Sequence, residues 1–301
     1  MILLRADMDA LPVAEDTGLS YASRTDGVMH ACGHDVHVTA LLATCAALSA
    51  DPTSITGTVV AVFQPAEETG SGARAMVDDG IFDRFPRPDL CLGQHVGPTP
   101  AGGMLVSKPD ILMAASDTIR VVFHGRGGHA SSPYACIDPL LMAASFALRI
   151  QSLVAHEAAT PPTAPVLTVG ALHAGTAANI IADDAELLLS LRTFSASSRD
   201  HMLESVGRIA RAEADGAGAT DAPDVHAYNG FPATVNTPDA TSTVMSDLRQ
   251  AGLGMHTLSQ PLSGSEDFGI FGTAAQCPLR ILAFRRNGTS KFRRNRPCRA
   301  R

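Results

Sequence analysis

Three observations predict an α/β protein whose mostly parallel sheet is interrupted by an inserted ferredoxin-like α+β unit. Apolar or β-branched runs alternate with helical periodicities through the N-terminal third, the pattern of strands joined by crossover helices. Polar residues able to do chemistry fall just past the carboxyl ends of those runs, where such sheets place their sites. From about Met113 the order becomes β-α-β-β-α-β, complete in itself.

The elements follow in order. Met1-Ile-Leu-Leu4 reads as a buried strand leading into Arg5-Ala-Asp-Met-Asp-Ala-Leu-Pro12. Asp35 is the expected N-cap of a helix from about Val36 to Ala50, with Val38, Leu41, Leu42, Cys45 and Leu48 at helical spacing. Gly57 to Phe63 is a β-branched strand ending in Gln64-Pro-Ala-Glu-Glu68, and Gly72 to Asp79 a helix closed by Gly80. Asp89 to Gly93 is a strand delivering Gln94 and His95. In the inserted unit, strands are expected at Asp117–Phe123, Pro165–Leu172, Ala185–Thr193 and Asp224–Tyr228, and helices at Pro139–Val154 and Arg199–Ala214. A helix around Thr241 to Gln250 and the stretch Ser263-Gly-Ser-Glu-Asp-Phe268 follow. The expected domains are therefore residues 1–112 with 229–301, and an insertion over 113–228.

Composition narrows the function. The 301 residues are 45% hydrophobic, enough to bury core over two domains. No uninterrupted apolar stretch reaches membrane-spanning length, and the first residues lack the order of a secretory leader. Six cysteines without paired spacing fit a reducing cytoplasm better than a disulfide framework. The absence of Trp argues against a base-stacking surface. Nine of the 23 Lys and Arg fall from Arg280 onward, where there is no acid. The body thus keeps 14 against 30 acids, too acidic for a nucleic-acid binder. Residues 285–301 are expected to be a disordered basic tail or a stretch read out of frame.

The richest stretch is His30-Ala-Cys-Gly-His-Asp-Val-His37. Cys32 and His34, two apart, leave extended backbone on one face, and a thiolate with an imidazole suits a borderline-soft metal. The same stretch also suits a buried cysteine beside loop histidines. Glu67 and Glu68, adjacent at a strand end, point to different sides, so one can ligate a metal while the other addresses a water. A solvated helix start would account for them equally well. His95 supplies a third group at a separate strand end, and Asp7 could hold a ligand histidine from behind or cap a turn.

Leu4 to Pro12, His30 to His37, Gln64 to Glu68, Gly128-His-Ala130 and Gly264-Ser-Glu-Asp-Phe268 together resemble the amidohydrolase branch of the M20 metallopeptidase family. The resemblance implies a dinuclear-metal peptidase-like catalytic domain with an inserted lid. It implies Cys32, His34, Glu68 and His95 as ligands of two divalent ions (Mn, Zn, Co or Ni), and Glu67 as general base for the attacking water. It further implies that His129 helps polarise the substrate carbonyl, that Asn179 and Arg192 meet the substrate, and that the lid pairs two copies into a homodimer. His30, His37, His124 and His173 match no ligand position. The implied activity is hydrolysis of the amide bond of N-acyl or N-aroyl amino acids, hippurate-like, with no nucleic-acid or membrane partner.

Two departures from the family pattern qualify that expectation. The family carries helices and a strand upstream of the Arg-Ala-Asp-Met-Asp strand, and a closing segment with a last ligand histidine. In this chain no histidine follows His256. Truncation at both ends is therefore expected, with the second ion weakly held, and a catalytically impaired remnant is the alternative reading.

Overall fold

The computed structural model describes residues 1–97, 104–157 and 164–284. The tail expected over 285–301 lies outside the described residues.

The chain begins with β1 (Ile2–Asp7), α1 (His34–Ala50), β2 (Val59–Gln64), α2 (Gly72–Asp78), α3 (Ile81–Arg84) and β3 (Leu90–Val96). Two short strands follow, β4 (Met104–Ser107) and β5 (Asp110–Met113). The central part is β6 (Ala115–His124), β7 (Gly128–His129), α4 (Pro139–Glu157), β8 (Val166–Ala174), β9 (Ile180–Ile181), β10 (Asp184–Thr193), α5 (Ala196–Gly216) and β11 (Asp224–Phe231). It closes with β12 (Thr234–Asn236), α6 (Pro238–Gln250), β13 (Gly254–Thr257), α7 (Gly269–Ala275) and β14 (Leu279–Phe284).

Six strands form one sheet in the order β13-β4-β14-β3-β1-β2. Every neighbour pair in it is parallel except β14 with β4. β1 sits inside the sheet, and its alternation buries Leu3 on one face and presents Arg5 and Asp7 at its carboxyl end. α1 turns one face inward through His34, His37 and Leu41, at the i, i+3, i+7 spacing of a helix stripe. Phe268 and Phe271, fully buried, close the core against Leu3, Cys91 and Leu112. Burying a side chain of that size contributes about 1.5–3 kcal/mol.

A second sheet, β11-β6-β10-β8, is wholly antiparallel and carries α4 and α5 on one face. Its core joins Phe123, Phe146, Leu187, Leu189, Met202 and Val206. With its helices this is the ferredoxin-like order. β5 and β12 pair antiparallel, so the strand before the second sheet and the strand after it lie together.

The structure departs from the sequence reading in four places. Asp35 does not cap α1, which starts at His34 with Gly33 in the cap position at φ 81. A side chain at Gly33 would also bring its Cβ within 2.6 Å of Val96 Cγ2, so both backbone sign and space require glycine there. His95 lies inside β3, not beyond it. β11 runs to Phe231 because its ladder resumes after an irregularity past Tyr228. α3, β4, β5, β7, β9, β12, β13, β14 and α7 were not foreseen: most are only two to four residues long, α7 is buried nearly all round, and β14 overlaps the basic stretch that begins at Arg280, so none shows a readable period. Among the described residues no helix is long and apolar enough to cross a membrane.

Candidate metal centre

Four backbone segments converge at the carboxyl ends of β1, β2 and β3. β1 delivers Arg5 and Asp7, with Asp9 just beyond. The turn before α1 delivers Cys32, and its first two turns His34 and His37. The turn after β2 delivers Glu67 and Glu68, and the end of β3 delivers His95. Ala66, immediately before the two glutamates, has φ 54, a conformation costing a non-glycine residue about 1–2 kcal/mol.

One ligand atom each from Cys32, His34 and Glu68 lies within 4.8 Å of the others. His34 Nδ1 faces Asp9 Oδ1 at 3.1 Å, so the ring N–H donates there and the Nε2 lone pair is left pointing inward. Nε2 stands 3.9 Å from Glu68 Oε1 and 4.0 Å from Glu67 Oε2. The second Asp9 oxygen accepts the Glu68 backbone N–H at 2.9 Å, so one carboxylate orients both residues. His95 packs against the same group, its ring centroid 5.8 Å from His34 and 5.0 Å from His37. With Asp7 and Glu266 it makes an adjoining set of donors within 4.8 Å.

His37 forms a further donor group with Asp7 and His34, but both of its nitrogens are engaged. Its Nε2 accepts the Val96 N–H at 2.8 Å, and its Nδ1–H donates to Asp7. Asp7 therefore supports His37, while Asp9 holds the Nδ1 side of His34. Burial pushes the Asp7 carboxyl up, but the His37 bond and the Arg5 charge outweigh it and bring it down to about 2.

Beneath this layer lies a buried ionic network. The five N–H groups of Arg5 reach Gln64, Asp7, Glu266 and Asp267: Nε to Gln64 at 2.8 Å, Nη1 to Asp7 and Glu266 at 2.8 and 3.2 Å, Nη2 to Glu266 and Asp267 at 2.9 and 3.3 Å. Gln64 and the Ala73 N–H also bond Asp267. Burial, then the Glu266 charge, push the Glu67 carboxyl up to about 10, with Arg5 opposing. Burial also lifts Asp267 to about 6. Burial, the bond to Glu68 and the neighbouring carboxylates push the Cys32 thiol up to about 12.

These observations test whether the residues fit a metal. His34 Nε2 and Glu68 Oε1 are buried with no hydrogen-bond partner, a costly state for two polar atoms facing each other. Four carboxyl groups (Asp7, Glu67, Glu266, Asp267) share one guanidinium, so the site is short of positive charge. A thiol, imidazoles and carboxylates are the donor set of a borderline divalent ion. The residues fit.

The remaining foreseen residues lie in the second sheet or beside it. β7 pairs with β9, and the Ala130 N–H donates to the Asn179 carbonyl at 3.0 Å, bringing exposed His129 and Asn179 side by side. His129 Nδ1 meets Ser131 Oγ at 2.7 Å. Among the described residues no hydrogen bond joins this pair to Cys32, His34 or Glu68. Arg192 reaches across from β10, its Nη1 donating to the Ser263 carbonyl at 2.8 Å and Ser265 Oγ at 2.9 Å, on the loop that carries Glu266 and Asp267. Asp9, Arg5, Gln64, Glu266 and Asp267 were missed as site residues. The available signal was the Arg-x-Asp-x-Asp spacing, whose period of two puts Arg5, Asp7 and Asp9 on one side of an extended chain.

The comparisons agree with this chemistry. A match to peptidase family M20/M25/M40 covers residues 3–293. The chain is 36% identical over 286 residues to the hippurate hydrolase of Campylobacter jejuni, covering 93% of this chain and 72% of the relative. It is 35% identical over 272 residues to the N-acetylcysteine deacetylase of Bacillus subtilis, covering 90% of this chain and 70% of that one. The crystal structure of the Bacillus subtilis YXEP protein, described as a dinuclear metal binding peptidase from the M20 family, superposes with a TM-score of 0.78 at 29% identity over 96% of this chain and 73% of the other. A match over nearly the whole chain, amide-cleaving relatives and a shared fold lead to one conclusion: the chain belongs to peptidase family M20/M25/M40, in its amidohydrolase branch, a family of metal-dependent hydrolases.

Proposed function

We propose that the chain hydrolyses the amide bond of N-acyl or N-aroyl amino acids of the hippurate kind. The observation that carries this reading is the pair of buried, unpartnered donor atoms on His34 and Glu68 with Glu67 beside them. Cys32, His34, Glu68 and His95 would hold two divalent ions such as Mn, Zn, Co or Ni. Bound there, such ions polarise a carbonyl and lower the pKa of water.

Glu67 takes the proton of the attacking water as its oxygen bonds to the amide carbon, and passes that proton to the nitrogen as the C–N bond breaks. In the metal-free chain burial, then the Glu266 charge, favour its protonated form; the positive charge of bound ions would favour the carboxylate that accepts the proton. His129 would donate to the developing oxyanion, beside Asn179 on the β7–β9 ribbon. Arg192, whose Nη1 donates to Ser263 and Ser265 on the loop of Glu266, would meet the carboxylate of the amino acid as a charged donor.

Two copies would pair through the edge strand β8 and α4, where Leu141, Leu148 and Val166 are exposed at 64%, 80% and 46%. Five free cysteines among the described residues suit the reducing cytoplasm.

The test is hydrolysis of hippurate and N-acetyl amino acids by purified chain supplied with each metal in turn. Release of the free amino acid, abolished by a chelator and restored by metal, is expected. Turnover that persists after complete chelation would exclude the reading.

A further inference from the structure

Outside the metal centre two thiols lie in contact. Cys91, in β3 and fully buried, has its Sγ 3.3 Å from Sγ of Cys277, which is only partly buried. The backbone brings them together. The Cys91 N–H donates to the Pro278 carbonyl at 3.0 Å, and Cys91 is in register with Leu279 of the neighbouring parallel strand β14, so Cys277, two residues before that strand, comes beside it. The two are 186 positions apart in sequence, and the proposed hydrolysis uses neither thiol.

We propose that Cys91 and Cys277 form an intramolecular disulfide when the chain meets a hydroperoxide, making this pair an oxidative modification site. The sulfurs must close by about 1.3 Å to reach bonding distance, within the reach of small side-chain torsions. Cys277 is the thiol an oxidant reaches, and the hydrogen bond from Cys91 draws it below the ordinary thiol value. The same bond, then burial, push Cys91 up, so Cys91 keeps its proton and serves as the resolving thiol.

The steps balance. The Cys277 thiolate attacks one peroxide oxygen, the O–O bond breaks, and hydroxide leaves and takes up a proton to become water. Cys277 is now a sulfenic acid. The Cys91 sulfur attacks it, the S–O bond breaks, the Cys91 proton joins the leaving hydroxide, and a second water departs. Two thiols lose two electrons and one hydrogen peroxide is reduced.

The experiment treats the full chain with hydrogen peroxide and reads intact mass and a non-reducing peptide map. The expected product is lighter by two hydrogens, contains a peptide joining Cys91 to Cys277, and reverts with dithiothreitol. Cys277→Ser should lose the link entirely. Cys91→Ala should leave a Cys277 sulfenic acid trapped by dimedone, which the wild-type chain traps far less. Unchanged mass, oxygen added at Cys277 without a link, or Cys91 joined to a different cysteine would each overturn the proposal. Because the readout is mass and not turnover, it is independent of the proposed amide hydrolysis.

Discussion

Asp9 grips His34 and Glu68 at once, one oxygen on the imidazole Nδ1 and the other on the glutamate N–H. Two residues from different elements are thereby aimed at a common point, where their remaining donor atoms stand 3.9 Å apart and unpartnered. An aspartate two positions beyond the end of β1 thus decides whether the centre is preassembled.

Asp9→Asn should weaken divalent-ion affinity about 10–100-fold, the usual cost of losing a supporting partner of a ligand, with little loss of thermal stability in metal-free protein. Isothermal titration with zinc and manganese reads the affinity. Unaltered binding would remove Asp9 from the centre.

His34→Ala and Glu68→Ala should each strip metal more completely than Asp9→Asn, as measured by metal content after dialysis. In the unaltered chain, metal at 100 times its dissociation constant should add about 2.7 kcal/mol of stability, lost on chelation. A melting temperature indifferent to both metal and chelator would mean that these residues hold no ion.

Glu67→Gln should lower turnover by about 10²–10⁴-fold while metal stays bound. The same change should stabilise the metal-free chain. The Glu67 carboxyl sits near 10 in the fold, above its ordinary value, so the fold binds a proton there that the unfolded chain releases. That contribution is fully present below the ordinary carboxylate pKa and is lost as pH rises toward 10. The advantage of Gln over Glu should therefore grow from pH 5 to pH 8 in metal-free thermal melts. An advantage that shrank over that range would show the sign to be wrong.

Arg5→Met removes the guanidinium that pairs with Asp7, Glu266 and Asp267. Leaving buried carboxylates uncompensated costs about 3–5 kcal/mol. Arg5→Lys should recover only part of it, because an ammonium cannot supply the five directed bonds of the guanidinium. Chemical denaturation with circular dichroism compares the three; full recovery by lysine would mean that charge alone matters.

Leu148→Glu puts a charge on the exposed face of α4. Light scattering after gel filtration should show a dimer for the unaltered chain and a monomer for the variant, with secondary structure retained. A monomer in both would dismiss the proposed pairing.

The sequence by itself determined the fold class and the order of its principal elements, because apolar periods and turn residues are local signals. It also brought forward Cys32, His34, Glu67, Glu68 and His95 as chemistry-bearing residues at separate element ends. Tertiary structure alone decided how they meet. That His37 is saturated by Asp7 and Val96, and that Asp9 holds the Nδ1 side of His34, depends on contacts between segments far apart in the chain. The Arg5 network spans 262 positions to Asp267, and the Cys91–Cys277 contact arises only because β14 inserts beside β3. Periodicity reports which face of an element is buried; it carries no information about which buried side chains of distant segments will share a proton, a charge or a metal.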